Sequence, residues 1–447
     1  MKTLLAICLL ALGCASIPQT TSAIELFPAY RGITFDGKLN CPYISHRGGT
    51  VFLQLSIATP DIGTPKRRPM NVAIVLDRSG SMADESKIEY ARKALFSLID
   101  QLSSEDVFSL VIYDDVIEVL KSAGRVGNKG ELKRLVQRVH PRGSTNLGGG
   151  MIEGFRQAEK YVSKEYLNRV ILLSDGLANT GITDHSELNR IARRYRSKSI
   201  SLTTMGVGLD YNENLMMGLA EHGGGNYYFI ESPNSLASIM NKEFNLMTKI
   251  AARNAFIELT LGKGVELHDV IGCDFGTGNH RFTIPVGDLY SNDRREFTLE
   301  LQVPEGSESM LVASGKLRYE TEYGWLQTSP AFSSTIHYTK DVVAVEKNRD
   351  MKTQAKADIA VSTRKVERAM EALDAGNHEE AAKEIDDAKQ MILSSPAATS
   401  GAGAAILGEQ AGRLDMYQNT LKDSVNDARR AKKAIQYENY RTQKNKQ

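Results

Sequence analysis

The sequence predicts a doubly wound α/β unit that is inserted in a β-sandwich and followed by a C-terminal α-helical region. Short continuous apolar runs alternate with amphipathic helical patterns over residues 71–247, which is typical of a mostly parallel sheet covered on both faces. On either side of this unit the hydrophobic period changes to two, which indicates half-buried antiparallel strands. After about Asp341 the pattern becomes helical and rich in alanine.

Length and composition limit the classes of protein to which the chain can belong. The chain has 447 residues, enough for roughly three domains of ordinary size. Apolar residues make up 41% and charged residues 24%, and 55 Lys and Arg nearly cancel 54 Asp and Glu. These values exclude wholesale disorder and a globally basic nucleic-acid-binding protein.

The N-terminus is typical of a secretory signal, because Lys2 is followed by the apolar run of residues 4–13 and then by small and polar residues. The run is shorter than the roughly 20 residues needed to cross a bilayer. Two processing sites compete. Residues 11–14 resemble a bacterial lipobox and would make Cys14 the lipidation point, whereas residues 21–23 suit an ordinary signal peptidase. We therefore expect residues 1–23 to direct export to a bacterial periplasm, outer membrane or cell surface.

The α/β unit is expected over residues 69–250. Its apolar runs predict buried strands, and between the first two the residues from Ile88 to Leu102 repeat at the spacing of one helical face. The predicted strands are residues 72–76, 107–113, 170–173, 200–207 and 227–230.

The flanking segments 24–68 and 251–340 are expected to form one sandwich around this unit, since their strand patterns are alike. The predicted strands are residues 50–57, 256–261, 280–284, 296–303 and 311–319. Cys41 and Cys273 lie in these two flanks, and an even pair in an exported protein suggests a disulfide. Two buried free thiols are the alternative.

The C-terminal region is predicted as a helical hairpin over residues 341–393, with Gly376 and Asn377 as a C-cap, a flexible linker over 394–405 and a helix over 406–447. Residues 428–447 contain seven Lys and Arg against one acid. This basic tail could contact anionic lipid or polysaccharide, dock a second partner, or be a solvated helix end. The export signal argues against nucleic acid.

The residues that carry chemistry lie where the buried strands end. Asp77, Ser79 and Ser81 follow the first strand, Thr145 precedes a helix, and Asp175 ends a later strand. Open α/β sheets bind ligands at this carboxyl edge. Carboxylate and hydroxyl oxygens are hard donors, which suit magnesium, manganese or calcium rather than zinc.

Together these residues resemble the metal-ion-dependent adhesion site of the von Willebrand factor type A domain, over about residues 70–250. The resemblance implies a Rossmann-like fold in which the hydroxyls of Ser79, Ser81 and Thr145 bind the cation directly. It implies that Asp77 and Asp175 act directly or through water. The flanks are similar to a bacterial and inter-alpha-inhibitor-heavy-chain-like branch, in which a type A domain adjoins a β-rich module.

No enzyme motif is found: the eight histidines lack metal-ligand spacing, and no nucleophile elbow is present. We therefore expect an exported protein that binds Mg²⁺, Ca²⁺ or Mn²⁺ and captures a protein ligand through its Asp or Glu. The C-terminal helices would engage a second partner, and a membrane would be reached only through a lipid anchor. The alternative is an envelope scaffold that assembles through those helices and whose metal site only stabilises it. A third hypothesis, a subunit of a cytoplasmic ATPase, conflicts with the signal sequence.

Overall fold

The computed structural model describes residues 32–63, 67–278, 280–321, 324–423 and 428–444. The expected signal segment and Cys14 lie outside these ranges. The described part begins with strands of alternating burial, which are β1 (Thr34–Leu39), β2 (Tyr43–Ser45) and β3 (Gly49–Ala58).

The α/β unit follows directly. Its elements are β4 (Met70–Asp77), α1 (Lys87–Gln101), β5 (Val107–Tyr113), β6 (Ile117–Arg125), α2 (Lys129–Gln137), α3 (Leu147–Glu159), β7 (Leu167–Ser174), α4 (His185–Arg196), β8 (Ile200–Val207), α5 (Glu213–Gly223), β9 (Gly224–Ile230) and α6 (Leu236–Met247). The strand order is β6-β5-β4-β7-β8-β9, and only the β5/β6 pairing is antiparallel.

The continuous apolar strands are explained by cores on both faces of this sheet. In β4, Val72, Ile74 and Leu76 pack into the core on one face, and Ala73 and Val75 into the core on the other. Each residue of β4 is buried. The predicted doubly wound fold is therefore confirmed, while the edge strand β6 was not predicted because it is only half-buried.

The second half of the sandwich comes after the α/β unit. Its strands are β10 (Ile250–Leu261), β11 (Glu266–Val270), β12 (Gly276–Gly278), β13 (Arg281–Tyr290), β14 (Arg294–Val303), β15 (Met310–Glu320), β16 (Leu326–Thr328) and β17 (Phe332–Thr339). One sheet has the order β1-β3-β14-β11 and the other β12-β13-β10-β15-β17-β2, with β16 beside β15. Leu55 and Leu299 of the first sheet share a core with Ile257 and Leu317 of the second, so the two sheets form a sandwich.

The last helices of the described ranges follow, and all but the first of them pack on one another. They are α7 (Val342–Lys347), α8 (Met351–Asp374), α9 (His378–Ser394), α10 (Gly401–Asp423) and α11 (Ala428–Lys444). None of the helices in the described ranges is long and apolar enough to cross a membrane.

The predicted linker over 394–405 is wrong. Residues Pro396–Thr399 form a short 3-10 helix, and α10 begins at Gly401. Ala397 is fully buried in the helical core, and a Cβ on Gly403 would lie 2.5 Å from the Ala397 carbonyl oxygen. The small residues of this stretch therefore permit close packing rather than flexibility. The single helix expected over 406–447 is also replaced by two helices, α10 and α11.

Cys41 and Cys273 are free thiols, so the expected disulfide is not formed. The Cys41 sulfur contacts the Val345 carbonyl oxygen of α7, whereas that of Cys273 lies beside the Asp274 carbonyl oxygen. The two sulfurs thus face different segments of the chain. Burial raises the pKa of Cys41, and it raises that of Cys273 to about 12. Of the alternative, two buried free thiols, the structure has both free thiols, but Cys273 keeps some exposure whereas Cys41 is buried.

The basic tail folds back on the α/β unit. Five cationic side chains of α11 reach acidic groups of that unit, and these pairs are Arg429 with Asp210, Arg430 with Glu231, Lys432 and Lys433 with Glu213, and Lys444 with Glu221. Most of the tail's positive charge is therefore matched within the chain. None of the three alternatives (contact with anionic lipid or polysaccharide, docking of a second partner, or a solvated helix end) describes this arrangement.

Candidate metal centre

The loop after β4 is organised by Asp77, whose side chain is fully buried. The backbone N–H of Ser79 donates to Asp77 Oδ1 at 2.8 Å, and the Ser174 hydroxyl donates to Oδ2 at 2.7 Å. Both carboxylate oxygens are thus engaged. Asp77 thus joins its own loop to the end of β7, and the carboxyl ends of β4 and β7 lie side by side.

Three predicted donors meet directly in front of this carboxylate. Ser79 Oγ lies 3.2 Å from Ser81 Oγ, and Ser81 donates to Asp175 Oδ1 at 2.8 Å. Thr145 reaches the same place from another loop: a Cβ added to Gly176 would lie 3.1 Å from Thr145 Oγ1 and 3.7 Å from Ser81 Oγ. The structure therefore brings the predicted oxygen donors together around Gly176.

Backbone hydrogen bonds hold the loop of Thr145 against the first loop. Gly80 N donates to Gly143 O at 3.1 Å, and Arg142 N donates to Arg78 O at 2.7 Å. On the other side, the N–H of Thr145 donates to Asn179 Oδ1 at 3.0 Å. The backbone of the Thr145 loop is thus held from both sides.

Asp114 was missed by sequence reasoning, although it supports both loops. Its Oδ2 accepts from Arg78 Nε at 2.8 Å and from Arg142 Nε at 2.7 Å. Burial alone would raise the pKa of Asp114, but hydrogen bonds from Arg142 and Val116 and the charge of Arg78 hold it below its ordinary value. An aspartate at a strand end is a common turn residue, so only the long-range contacts distinguish it.

Lys87 was also missed. Its ammonium donates to Asp175 Oδ2 at 2.8 Å, and its side chain is only 3% exposed. Asp175 therefore directs one oxygen to a buried cation and the other to Ser81. The signal available in the sequence was a lysine in the first turn of an amphipathic helix, where a cation opposes the helix dipole.

The electrostatics of the centre favour bound positive charge. Burial is the main reason why the pKa of Asp77 rises to about 6, and the neighbouring charge of Asp175 adds to the effect, against hydrogen bonds from Ser79 and Ser174. A divalent cation beside these carboxylates would favour their charged forms.

The donor set suits a hard cation. It consists of hydroxyl and carboxylate oxygens, and the described residues contain no group of three or more His, Cys, Asp or Glu that could hold a metal. Magnesium, calcium and manganese accept such oxygens, whereas structural zinc sites use mainly nitrogen and sulfur. The residues thus fit a magnesium-like ion.

Comparison with known proteins agrees with this geometry. Residues 71–242 match the model of the von Willebrand factor type A domain. The chain is 28% identical over 231 residues to the YfbK protein of Escherichia coli (strain K12), covering 52% of this chain and 40% of that protein. It is 27% identical over 165 residues to inter-alpha-trypsin inhibitor heavy chain H3 of Mesocricetus auratus, covering 35% of this chain and 18% of that one. The chain thus spans less than half the length of these relatives.

A solved structure shows that the whole architecture recurs. The von Willebrand factor type A protein from Catenulispora acidiphila superposes with a TM-score of 0.70 at 17% identity, covering 93% of this chain and 97% of that one. Domains of this family typically mediate protein–protein interaction and bind a divalent metal. The chain therefore carries, within residues 71–242, a von Willebrand factor type A domain.

Proposed function

We propose that this protein is exported and binds a protein ligand through a divalent cation, Mg²⁺ in the first instance. The residues that would hold the cation are Asp77, Ser79, Ser81, Thr145 and Asp175. Export is proposed from Lys2 and the apolar run after it, which lie outside the described residues. No catalytic step is assigned to the chain.

The convergence of Ser79, Ser81 and Asp175, with Thr145 across Gly176, carries this proposal. The hydroxyls are neutral, so the site offers few negative charges for its number of oxygens. Bound there, the cation would supply an open coordination position for a carboxylate. The protein's own side chains orient that position and leave an Asp or Glu to the partner.

The surroundings of the site suit a macromolecular ligand. Ser79 and Thr145 lie at its floor, 2% and 4% exposed. At its rim the Leu177 side chain is 55% exposed and that of Arg142 is 60% exposed. An apolar side chain and a guanidinium beside a metal-held carboxylate are contacts that a folded partner could use.

The test pairs two neighbouring residues. Thr145→Ala removes a donor, whereas Ser144→Ala removes an exposed hydroxyl from the same loop. We expect calorimetric titration with Mg²⁺, Mn²⁺ and Ca²⁺ to show binding by the wild type and Ser144→Ala, and at least roughly tenfold weaker binding by Thr145→Ala. Thermal unfolding in chelator should be similar for all three proteins.

The same proteins serve as bait for envelope extract. Partners retained with Mg²⁺ and released by chelator, and not retained by Thr145→Ala, would support the proposal. Identical retention in chelator would overturn it and favour the scaffold alternative. The scaffold alternative is tested by Met416→Glu on α10, where the Met416 side chain is 50% exposed. If the chain assembles through its helices, this charge should prevent assembly.

A further inference from the structure

Lys87 lies inside the candidate metal centre without being one of its donors. Its Nζ is 2.8 Å from Asp175 Oδ2, and the two side chains are 3% and 0% exposed. The other oxygen of Asp175 accepts from the Ser81 hydroxyl at 2.8 Å. One carboxylate thus links a fixed internal cation to the place where an external cation would bind.

This placement of a lysine is unfavourable in isolation. Lys87 is the first residue of α1, where the helix dipole opposes a positive charge, and it is removed from water. Immediately before Lys87, Glu85 and Ser86 have left-handed φ values of 50° and 57°, a backbone conformation that glycine adopts more easily than they do. Strain of this kind persists where the surrounding structure requires a particular direction of the chain.

A glycine next to Lys87 leaves space for the lysine side chain. Gly208 has a φ of +75°, and a Cβ there would lie 3.1 Å from Lys87 Cε and 3.4 Å from Nζ. A side chain at this position would crowd the lysine. By contrast, Lys93 on the same helix is exposed, with its ammonium 5.0 Å from the Tyr90 ring centroid.

The formal charges show what the lysine changes. Asp77 and Asp175 contribute two negative charges, and Lys87 cancels one of them. Charge repulsion between an ammonium and a nearby divalent cation weakens binding, and the effect is large where water is excluded. A cation bound beside Lys87 also keeps more uncompensated positive charge than one beside two free carboxylates.

We propose that Lys87 is a positioning residue that orients Asp175 and lowers the affinity of the centre for its divalent cation. The inference rests on the proposed function, since it concerns the same centre. It predicts that neutralising the lysine strengthens cation binding, whereas a purely structural lysine would change stability alone.

The experiment compares Lys87→Met, Lys87→Arg and the matched control Lys93→Met in the full chain. Titration calorimetry with Mg²⁺ alone gives the affinity, and thermal unfolding in chelator and in Mg²⁺ gives a second readout. We expect Lys87→Met to bind Mg²⁺ about tenfold more tightly, which corresponds to about 1.4 kcal/mol. Its melting temperature should fall in chelator, because Asp175 loses its partner, and should rise more than that of the wild type when Mg²⁺ is added.

The controls make the outcomes distinct. Lys87→Arg keeps the charge and should remain near the wild-type affinity, as should Lys93→Met. If the wild type and Lys87→Met bind Mg²⁺ equally, the inference falls and the proposed function stands. If only Lys87→Met binds, Lys87 excludes the cation, so the inference holds while the proposed function fails. If neither binds, both are overturned.

Discussion

Lys433, near the end of the chain, and Glu213, at the start of α5, form a buried ion pair with 2.5 Å between Nζ and Oε2. The same ammonium donates to the Tyr211 carbonyl oxygen at 2.7 Å. Burial would raise the pKa of Glu213, but hydrogen bonds from Lys432 and Lys433 hold it below its ordinary value. The helix α11 is thus bonded to the segment that follows β8. This segment begins at Gly208, which lies beside Lys87.

Replacing Lys433 by Met should release this helix. The buried Glu213 carboxylate would then have only one of its two lysine partners, Lys432. We therefore expect the free energy of unfolding to fall by about 2 kcal/mol. Amide hydrogen exchange should rise in α11 before it rises elsewhere. The control Arg429→Met breaks an exposed pair with Asp210 and should cost less than about 0.5 kcal/mol. Equal losses in the two variants would contradict the expectation.

Adding one methyl group at Gly176 should weaken cation binding without unfolding the protein. In Gly176→Ala the new Cβ would lie 3.1 Å from Thr145 Oγ1, so this hydroxyl must shift by a few tenths of an ångström. We expect roughly tenfold weaker Mg²⁺ binding by calorimetry. Gly127→Ala is the matched control, because its Cβ would meet no atom within 4 Å. Unchanged affinity in Gly176→Ala would show that the Thr145 hydroxyl is not needed.

Arg169 should be essential for joining the type A domain to the sandwich. This residue of β7 is 2% exposed and lies 3.1 Å from Asp288 of β13 and 3.8 Å from Glu243 of α6. Arg169→Met leaves both carboxylates buried without this cation, so we expect a loss of about 3–5 kcal/mol in urea unfolding. Arg156→Met removes an exposed arginine 3.6 Å from Glu153 and should be nearly neutral. A small effect at Arg169 would mean that the two units hold together by apolar packing.

The junction between the sandwich and α8 should weaken in acid. Partial burial would raise the pKa of Asp350, but hydrogen bonds from Lys38 and Thr353 lower it from 3.8 to about 2. A lowered pKa stabilises the fold above about pH 4, and this stabilisation is lost as the pH falls toward 2. Asp350→Asn keeps the cap but removes the charge, so it should cost about 1 kcal/mol at pH 7 and nothing near pH 2.

A stability profile against pH checks this expectation. The control is Asp341→Asn, which alters the equivalent cap of α7, where Asp341 accepts from Val343 N. Among the described residues Asp341 has no lysine partner, so this variant shows the effect of changing an aspartate cap alone. A constant difference between Asp350→Asn and the wild type down to pH 2 would exclude the proposed role of Lys38.

The α/β strands could be predicted because burial on both faces forces continuous apolar runs such as residues 72–76. The edge strand β6 could not, since its residues are half-exposed and its pattern is weak. The small residues of 394–405 predict a linker, but such residues permit close packing as well as flexibility. Only the neighbours of Ala397 and Gly403 decide between the two.

The oxygen donors of the candidate centre could be predicted for a different reason. Asp77, Ser79 and Ser81 are close in sequence, and parallel strands end at one edge, so Asp175 had to lie near them. Lys87 gave no such signal, because its partner Asp175 lies 88 positions away and depends on the left-handed turn at Glu85 and Ser86. Asp114 likewise depends on arginines 36 and 28 positions away.

The split sandwich has a consequence for the order in which the chain folds. Thr50 of β3 and Gln302 of β14 are hydrogen-bonded partners 252 positions apart, so β3 leaves the ribosome with its neighbour β1 but long before β14. Closing so long a loop is entropically costly and slow. The type A domain lies between them and can form from its own local contacts. Once folded, this domain holds its two ends at a fixed distance, so the effective loop between β3 and β14 is much shorter. The apolar face of β3 is covered only after the later strands have formed.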